Sequence, residues 1–558
     1  MNRIDGAHRP KGPSFAELFT PKLVTVLREG YGLAQLRADV IAGLTVAIVA
    51  LPLSMAIAIA SHVEPSRGLY TAVVGGFLVG ALGGSRFQIG GPAGAFIVLV
   101  AATVAAHGVD GLILATMISG VLLALAGLLR LGTFVKFIPF PVTVGFTAGI
   151  ATVIFASQLV PLLGLTLAGP EPGPLLRKLP ALWHALPSAN PQTIALSLAA
   201  VASLVALRRF RPRWPRMLIV VALASVAAWA LRLDVATIAS AFGGIPSGFP
   251  RPALPQADLA KVVEVLPAAF SFALLGSIES LLSAVVADGM TGRRHRSNAE
   301  LIAQGVANLG SGLFGGFCVT GTIARTATNV RAGAHGPVAG MAHSLFLLLF
   351  VLVAAPLAAW VPLAALAAVL AVVAWDMVEK PAIRALLTAS WGDAAVLLVT
   401  LGLTLFRDLT SAIVVGFALG AMLFIHRMAS AVAVHPAPRG PYHEEAADPR
   451  FVVYRVRGAL FFGAVSAVSA ALDRIGDTHR LLVLDFSEVT LVDSSAAHMI
   501  EGIARKAGRR GVAVALTGAT PALRRDLRAH GVRPPLVRYA PSVEAALATF
   551  PTPAEAAE

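Results

Sequence analysis

Two short stretches, FQIGGPAGA at residues 87–95 and FCVTGTIAR at residues 317–325, decide the fold of this 558-residue chain. Each reads as an extended run, a break of small residues and then a helix. Both lie in strongly apolar surroundings, where irregular backbone is tolerated only if it is buried in protein or lines a cavity. The two stretches therefore predict a membrane protein with two broken helices.

Composition supports a polytopic membrane protein. Only 13% of residues are charged, the mean hydropathy is +0.77, and long apolar spans recur from Asp39 to about Arg427. The net charge of +14 can suggest nucleic acid. However, much of the arginine stands in short clusters between spans, as at 208–213 and 293–296, which positive-inside topology explains better. We expect no nucleic-acid partner and a location in a bacterial inner membrane, in contact with lipid.

Hydropathy predicts fourteen crossings. Twelve are plain apolar spans, and the two broken stretches near 87–106 and 317–332 supply the others. The plain spans lie near 39–62, 68–83, 110–129, 139–163, 192–207, 215–231, 262–288, 300–314, 337–355, 360–375, 393–406 and 408–426. No cleavable signal peptide is evident, and the basic segment before the first span places the amino terminus in the cytoplasm. An even number of crossings then keeps the carboxy terminus on the same side.

The broken stretches are third in each successive group of seven crossings. An odd number per half makes the halves inverted repeats, so the two short helices point their amino termini at each other near the membrane midplane. Helix amino termini present unpaired N–H groups and partial positive charge, which suits an anion. The residues predicted to contact it are Ala93, Gly94, Ala95, Gly321, Thr322 and Ile323. The alternative is that Gly and Pro only kink packed helices.

Glu279 is an acid inside the apolar span 266–286, where an ionisable group is expensive unless it has a function. Ser283 follows four residues later and shares its helix face. Burial disfavours the charged carboxyl, so Glu279 is a candidate for carrying a proton with the anion. A sodium site or a purely structural carboxyl are the alternatives.

Arg325 stands one turn into the second short helix, where it can neutralise a substrate carboxylate or brace the bundle. The polar stretch 288–308, which includes Glu300, Gln304 and Asn308, is predicted to be structural. The single cysteine, Cys318, excludes an intramolecular disulfide and a cysteine-based metal cluster. We expect no cofactor beyond a coupling proton or sodium ion.

The character of the chain changes after Arg427. The predicted domains are a cytoplasmic segment 1–37, a transport domain 38–430, a linker 431–449 and a small α/β domain 450–558. Strand-like runs at 451–456, 481–486 and 512–516 alternate there with helix-like runs at 464–475, 494–507 and 521–530. In the stretch LVDSSA, Asp493 or Ser494 is a natural helix cap, which is a structural role. The functional alternative is that Ser494 is phosphorylated.

These residues resemble the SulP anion transporter family, with a carboxy-terminal STAS (sulfate transporter and anti-sigma factor antagonist) domain. The matching stretches are FQIGGPAG at 87–94, IESLLSAVVAD at 278–288, RSNAELIAQG at 296–305 and GTIARTATNVR at 321–331. The string 322–333 is most similar to DauA-type bacterial dicarboxylate transporters. Ala93 departs from a threonine found in some bicarbonate carriers, and Ala496-Ala497 departs from the phosphorylated STAS loop.

The resemblance implies a seven-plus-seven inverted repeat with a core and a gate, as in uracil permease, usually in a homodimer. It implies that the acid at Glu279 couples transport to a proton, or to sodium with the help of Ser283. The leading hypothesis is elevator-like, proton-coupled symport of fumarate or succinate. The alternatives are a sodium- or proton-coupled sulfate or bicarbonate transporter, and a membrane-tethered regulator whose STAS domain binds a cytoplasmic protein. No nucleophile–base pair or phosphate loop indicates an enzyme.

Overall fold

The structure, a computed structural model, describes residues 18–133, 139–169, 172, 175–212, 214–244, 248–255, 258–407, 409–436, 451–464 and 480–549. The chain divides into two compact units, Met1–Phe417 and Ala418–Glu558. Parts of four predicted segments lie outside the described residues: 1–17 of the amino-terminal segment, 437–449 of the linker, 465–475 of a helix and 550–558 of the last domain.

Helices dominate the first unit. From the amino terminus they are α1 (Lys22–Arg28), α2 (Leu33–Ala60), α3 (Pro65–Tyr70), α4 (Gly76–Leu82), α5 (Ile97–Leu128), α6 (Phe140–Leu163), α7 (Leu175–Ala185), α8 (Pro191–Phe210), α9 (Arg216–Ala230) and α10 (Ile238–Phe242). They continue as α11 (Leu259–Thr291), α12 (Ser297–Leu313), α13 (Ile323–Arg331), α14 (Val338–Val353), α15 (Ala355–Ala358), α16 (Leu363–Met377), α17 (Lys380–Ala389), α18 (Trp391–Phe406) and α19 (Leu409–Ser430).

Each predicted crossing coincides with a described element. Within the described residues, six helical segments are long and apolar enough to cross a membrane by themselves: 33–60, 94–128, 140–163, 191–210, 259–291 and 411–430. The segment 94–128 contains a break at Gly108, whose φ of 70° is not helical, and so corresponds to two predicted crossings. A π-helical turn, Thr71–Gly75, joins α3 to α4 within another. The predicted polytopic helical fold class is confirmed.

Two short strands complete the first unit, β1 (Gly90–Gly91) and β2 (Thr320–Gly321). They belong to the broken stretches and pair with each other. Around them α12 and α11 pack on α5, and α14 packs on α2. A second bundle forms where α16 and α18 pack on α6, and α8 packs on α16. We call the first bundle the core and the second the gate.

Glycines bring two core helices into backbone contact. A Cβ atom added to Gly305 of α12 would lie 2.5 Å from the carbonyl oxygen of Gly120 on α5. A Cβ atom added to Gly120 would lie 2.7 Å from the carbonyl oxygen of Gly305. Because lipid supplies no hydrophobic force between helices, such close packing of small residues is a main source of association.

The second unit contains a five-stranded sheet. Its order is β3 (Ala433–Pro436), β4 (Phe451–Leu460), β5 (Leu481–Val492), β6 (Ala513–Thr517) and β7 (Arg538–Ala540). β3 is antiparallel to β4, and the other neighbours are parallel. Helices α20 (Ser494–Arg509), α21 (Pro521–Ala529) and α22 (Val543–Leu547) follow β5, β6 and β7. The predicted strands and the helices near 494–507 and 521–530 are confirmed. β3 lies in the predicted linker.

The glycine contact predicts a specific loss of stability. Gly305→Ala forces a methyl group into the Gly120 backbone, and overpacking of this kind costs about 1–3 kcal/mol. We expect a lower melting temperature for the purified protein in detergent. Gly402→Ala on α18 is the matched control, because no atom lies within 4 Å of its added Cβ. That variant should be neutral or slightly stabilised, since Ala favours a helix. Equal melting temperatures for the two variants would contradict the close α5–α12 contact.

Candidate functional site

The two broken stretches meet in an antiparallel pair. Gly90 lies opposite Gly321, and Gly91 lies opposite Thr320. Because the strands run in opposite directions, the helices that follow them leave in opposite directions as well. The first begins as a short 3₁₀ turn at Gly94 that leads into α5, and the second is α13, which begins at Ile323. The predicted arrangement of two half-helices with their amino termini at one place is therefore present.

Neither amino terminus has a side-chain cap. The residues before them, Ala93 and Thr322, have extended backbones, and no side chain accepts a hydrogen bond from the first-turn amides. The first amides of a helix have no partner within the helix itself. The amides of Gly94 and Ala95, and those of Ile323 and Ala324, are therefore available for an anion.

Two residues predicted to contact an anion, Gly321 and Thr322, have their hydrogen-bond donors engaged within the protein. The backbone N–H of Thr322 donates to the carbonyl of Ile89 at 3.0 Å, and its hydroxyl donates to the same carbonyl at 3.2 Å. The N–H of Gly321 donates to Oγ of Ser280 at 3.1 Å. These two residues hold the broken backbone in this structure, and the first-turn amides of α13 are the donors that have no partner among the described residues.

The first half-helix lies against the gate. A Cβ atom added to Gly94 would lie 3.5 Å from Cδ1 of Ile154 on α6 and 3.8 Å from Sδ of Met377 on α16. Ala93 and Ala95 are buried nearby. Ile323 is 40% exposed, whereas Arg325 two residues later is 1% exposed. The start of α13 thus borders open space, and the helix turns its arginine into the protein.

Arg325 is a buried cation with unused donors. Its Nη2 donates to Oγ of Ser54 on α2 at 3.2 Å, and its guanidinium lies against the backbone of Gly91. Nε and Nη1 are buried and have no hydrogen-bond partner in the part of the chain that the structure describes. A buried charge is costly unless it is paired and hydrogen-bonded. An anion beside the guanidinium would supply the negative charge and the hydrogen-bond acceptors that it lacks.

Glu279 on α11 is the acidic residue that accompanies Arg325. α11 packs on α13, the helix that carries Arg325. Yet Oε2 of Glu279 is buried and has no hydrogen-bond partner. Ser283, fully buried one turn later, instead donates to Oγ1 of Thr326 at 3.1 Å. Glu279 is therefore poised to take a proton or a cation, while the Ser283 hydroxyl is engaged in holding α13.

Several polar side chains that the sequence did not predict as site residues form hydrogen bonds at the two breaks. Oγ1 of Thr326 also accepts the N–H of Ile89 at 3.1 Å, and Nδ2 of Asn329 donates to the carbonyl of Phe87 at 2.9 Å. Ser280 and Thr320 share a hydrogen bond of 2.8 Å. The sequence does contain a signal for these residues, because each is a polar residue in an apolar region.

The polar stretch 288–308 is structural, as predicted. Glu300 is fully buried, and its carboxylate accepts hydrogen bonds from the backbone N–H groups of Gly84 and Ser85 and from the side chains of Gln88 and Gln304. Asn308 binds both the N–H and the carbonyl of Val319. These contacts hold the approach to each strand.

In the second unit, Asp493 is the cap of α20. Its Oδ1 accepts the N–H of Ala496 at 2.8 Å, and its Oδ2 accepts the N–H of Phe462 at 3.0 Å. Ser494 is the exposed first residue of that helix. The helix dipole would favour a phosphate on Ser494. Phosphorylation of Ser494 stays a prediction.

Comparison with known proteins decides the family. Residues 36–400 match the sulfate permease family, and residues 444–546 match the STAS domain. The chain belongs to the sulfate permease family. It is accordingly a multi-pass membrane anion transporter and not an enzyme, which confirms both predictions. Within the described residues, no group of three His, Cys, Asp or Glu side chains is placed to hold a metal ion.

Relatives with named activities align over most of this sulfate permease chain. YvdB of Bacillus subtilis (strain 168), named as a candidate sulfate transporter, is 39% identical over 88% of this chain and 93% of its own length. The bicarbonate transporter BicA of Picosynechococcus sp. is 30% identical over 88% of this chain and 90% of its own length.

Solved structures show the same fold. Murine Solute Carrier 26 family member A9 superposes with a TM-score of 0.83 at 19% identity, covering 98% of this chain and 96% of that one. The transmembrane domain of a cyanobacterial BicA gives 0.61 at 31% identity, covering 68% of this chain and 98% of that domain.

Thr326 provides a test of the site's scaffold. Thr326→Val leaves the N–H of Ile89 buried without an acceptor, which costs about 1–3 kcal/mol. We expect a lower melting temperature and weaker transport. Thr328→Val is the control on the same helix, because the Thr328 hydroxyl bonds only a carbonyl of its own helix, that of Ala324. If both valine variants behave like the wild type, Thr326 does not hold the strand pair.

Proposed function

We propose that this transporter is a proton-coupled symporter of a dianion, with a dicarboxylate such as fumarate or succinate as its substrate. The observation that carries the proposal is the buried Arg325, with Nε and Nη1 unpaired, at two uncapped half-helix termini and near the unpaired Oε2 of Glu279. Arg325 and the two helix termini supply hydrogen-bond donors to an anion, and Glu279 supplies an acceptor for a proton.

Charge balance supports coupling to a proton. Arg325 contributes one positive charge, and each helix terminus contributes about half a charge. A dianion neutralises this total of about two only if Glu279 is protonated. With an ionised Glu279, the same site is neutralised by a monoanion. A substrate with two charges therefore fits proton symport, whereas bicarbonate fits the ionised form.

Sulfate is the second candidate substrate. It has the same charge as a dicarboxylate at neutral pH, and YvdB, 39% identical to this chain, is named as a candidate for sulfate transport. The dicarboxylate is favoured by the residue string 322–333. Sodium in place of the proton is the alternative coupling ion, since carboxylate and hydroxyl oxygens also suit it.

The arrangement of helices suggests how access alternates. The strands, α11 and α13 belong to the core, whereas Ile154 and Met377, which face Gly94, belong to the gate. We infer that the core carries the anion past the gate in an elevator-like movement. We propose in addition that the protein is a homodimer in the inner membrane, with both termini in the cytoplasm and the STAS domain available to a cytoplasmic protein.

Removal of the acid tests the coupling. In proteoliposomes, Glu279→Gln should abolish uptake driven by an inward proton gradient while anion exchange continues, because the amide cannot carry a proton. Glu264→Gln is the control, since Glu264 is an exposed acid on the same helix. Gradient-driven uptake by Glu279→Gln at the wild-type rate would remove Glu279 from the coupling step, and uptake that follows a sodium gradient would assign sodium.

Replacement of the arginine tests the substrate. We expect fumarate and succinate to raise the melting temperature of the purified protein more than sulfate, and bicarbonate to raise it least. Arg325→Gln should abolish these shifts, whereas Arg331→Gln, at an exposed position on the same helix, should keep them. A larger shift with sulfate would favour the second candidate. Shifts that survive Arg325→Gln would place the anion elsewhere.

A further inference from the structure

A groove of about 970 Å³ lies on the gate, apart from the half-helix site. Three helices form it. On α8 its apolar lining residues are Ile194, Leu198, Val201 and Val205, spaced by four, three and four positions along one helix face, and Ser197 lies among them. Phe155 to Leu163 of α6 and Ala371 to Trp375 of α16 supply the facing walls. Leu198 and Val205 are well exposed, so the groove is apolar and open at its side.

Positive charge collects at one end of this groove. The lining of α8 ends at Arg208 and Arg209. Arg208 is ion-paired with Asp376 of α16, which also binds Arg216 of α9 at 3.3 Å. Arg209 is exposed and, among the described residues, has no ion pair. Arg208 and Arg216 therefore share a single carboxylate, and Arg209 adds a further positive charge at the groove.

Aromatic residues mark the same end as a membrane interface. Trp375, which lines the groove, is covered by the Lys380 ammonium at 3.5 Å from the ring centre, and Arg211 stands over Trp214 at 5.9 Å. Tryptophan with neighbouring Lys and Arg is typical of the headgroup level of a bilayer. The groove thus runs from the hydrocarbon region to the headgroups on the side of the arginine cluster.

We propose that this groove binds one anionic phospholipid, with its acyl chain between α6, α8 and α16 and its phosphate at Arg209 and Arg208. Charge complementarity selects this occupant. A second copy of the chain fits less well, because a twofold axis along the membrane normal would bring Arg208 and Arg209 to the same depth as their own copies. A bound lipid would join α8 to α16 and so stabilise the gate without touching the transport site.

Native mass spectrometry of the full-length protein in detergent tests the proposal. Phosphatidylglycerol and phosphatidylcholine with the same acyl chains are added in parallel. We expect more phosphatidylglycerol adduct than phosphatidylcholine adduct, and about fivefold weaker phosphatidylglycerol binding for Arg209→Gln, as for the loss of one basic residue at an anionic membrane surface. Arg384→Gln is the control, because Arg384 is an exposed arginine on α17 that does not line the groove.

A second pair of variants tests the acyl chain position. Val201→Trp fills the groove and should reduce the adduct without any change of charge. Ala199→Trp places the same ring on another face of α8 and should not. Equal binding of the two lipids, or wild-type binding by Arg209→Gln, would overturn the proposal. So would a Val201→Trp protein that keeps its lipid and loses a dimer, since the groove would then be a subunit interface.

Discussion

The pairing of Gly90–Gly91 with Thr320–Gly321 is the contact on which the transport unit depends. In an apolar environment, every backbone N–H and carbonyl that a helix would satisfy must find another partner wherever the helix is broken. Here each break partly satisfies the other, and several of the remaining groups are bound by side chains, such as Asn308 of α12 and Thr326 of α13. Two irregular segments are thereby tolerated at one place.

The same pairing shapes the electrostatics of the site. Because the N–H and hydroxyl of Thr322 both bind Ile89, the donors without a partner among the described residues here are the following amides of α13 and two nitrogens of Arg325. Arg325 in turn depends on Gly91, since a Cβ atom there would lie 2.5 Å from its Nη1. A strand residue without a side chain thus allows a cation from the opposite repeat to reach the cleft.

The core of the unit is closely packed, whereas the gate is packed more loosely. In the core, backbone contact between Gly120 and Gly305 leaves little room for rearrangement. In the gate, α6, α8 and α16 leave a groove of about 970 Å³ between them. A compact core that carries the site and a gate that exposes apolar side chains fit a mechanism in which one moves against the other.

Local patterns in the sequence determined the crossings, the positions of both breaks, the strands and helices of the second unit, and the presence of the isolated charges Glu279 and Arg325 in the transport unit. These follow from hydropathy, from Gly and Pro, and from isolated charges, all of which act over a few neighbouring residues. Only the tertiary structure decided which donors remain for an anion, that Ser54 holds Arg325, and that Ser283 binds Thr326. Those partners lie 271 and 43 residues apart, so no local pattern contains them.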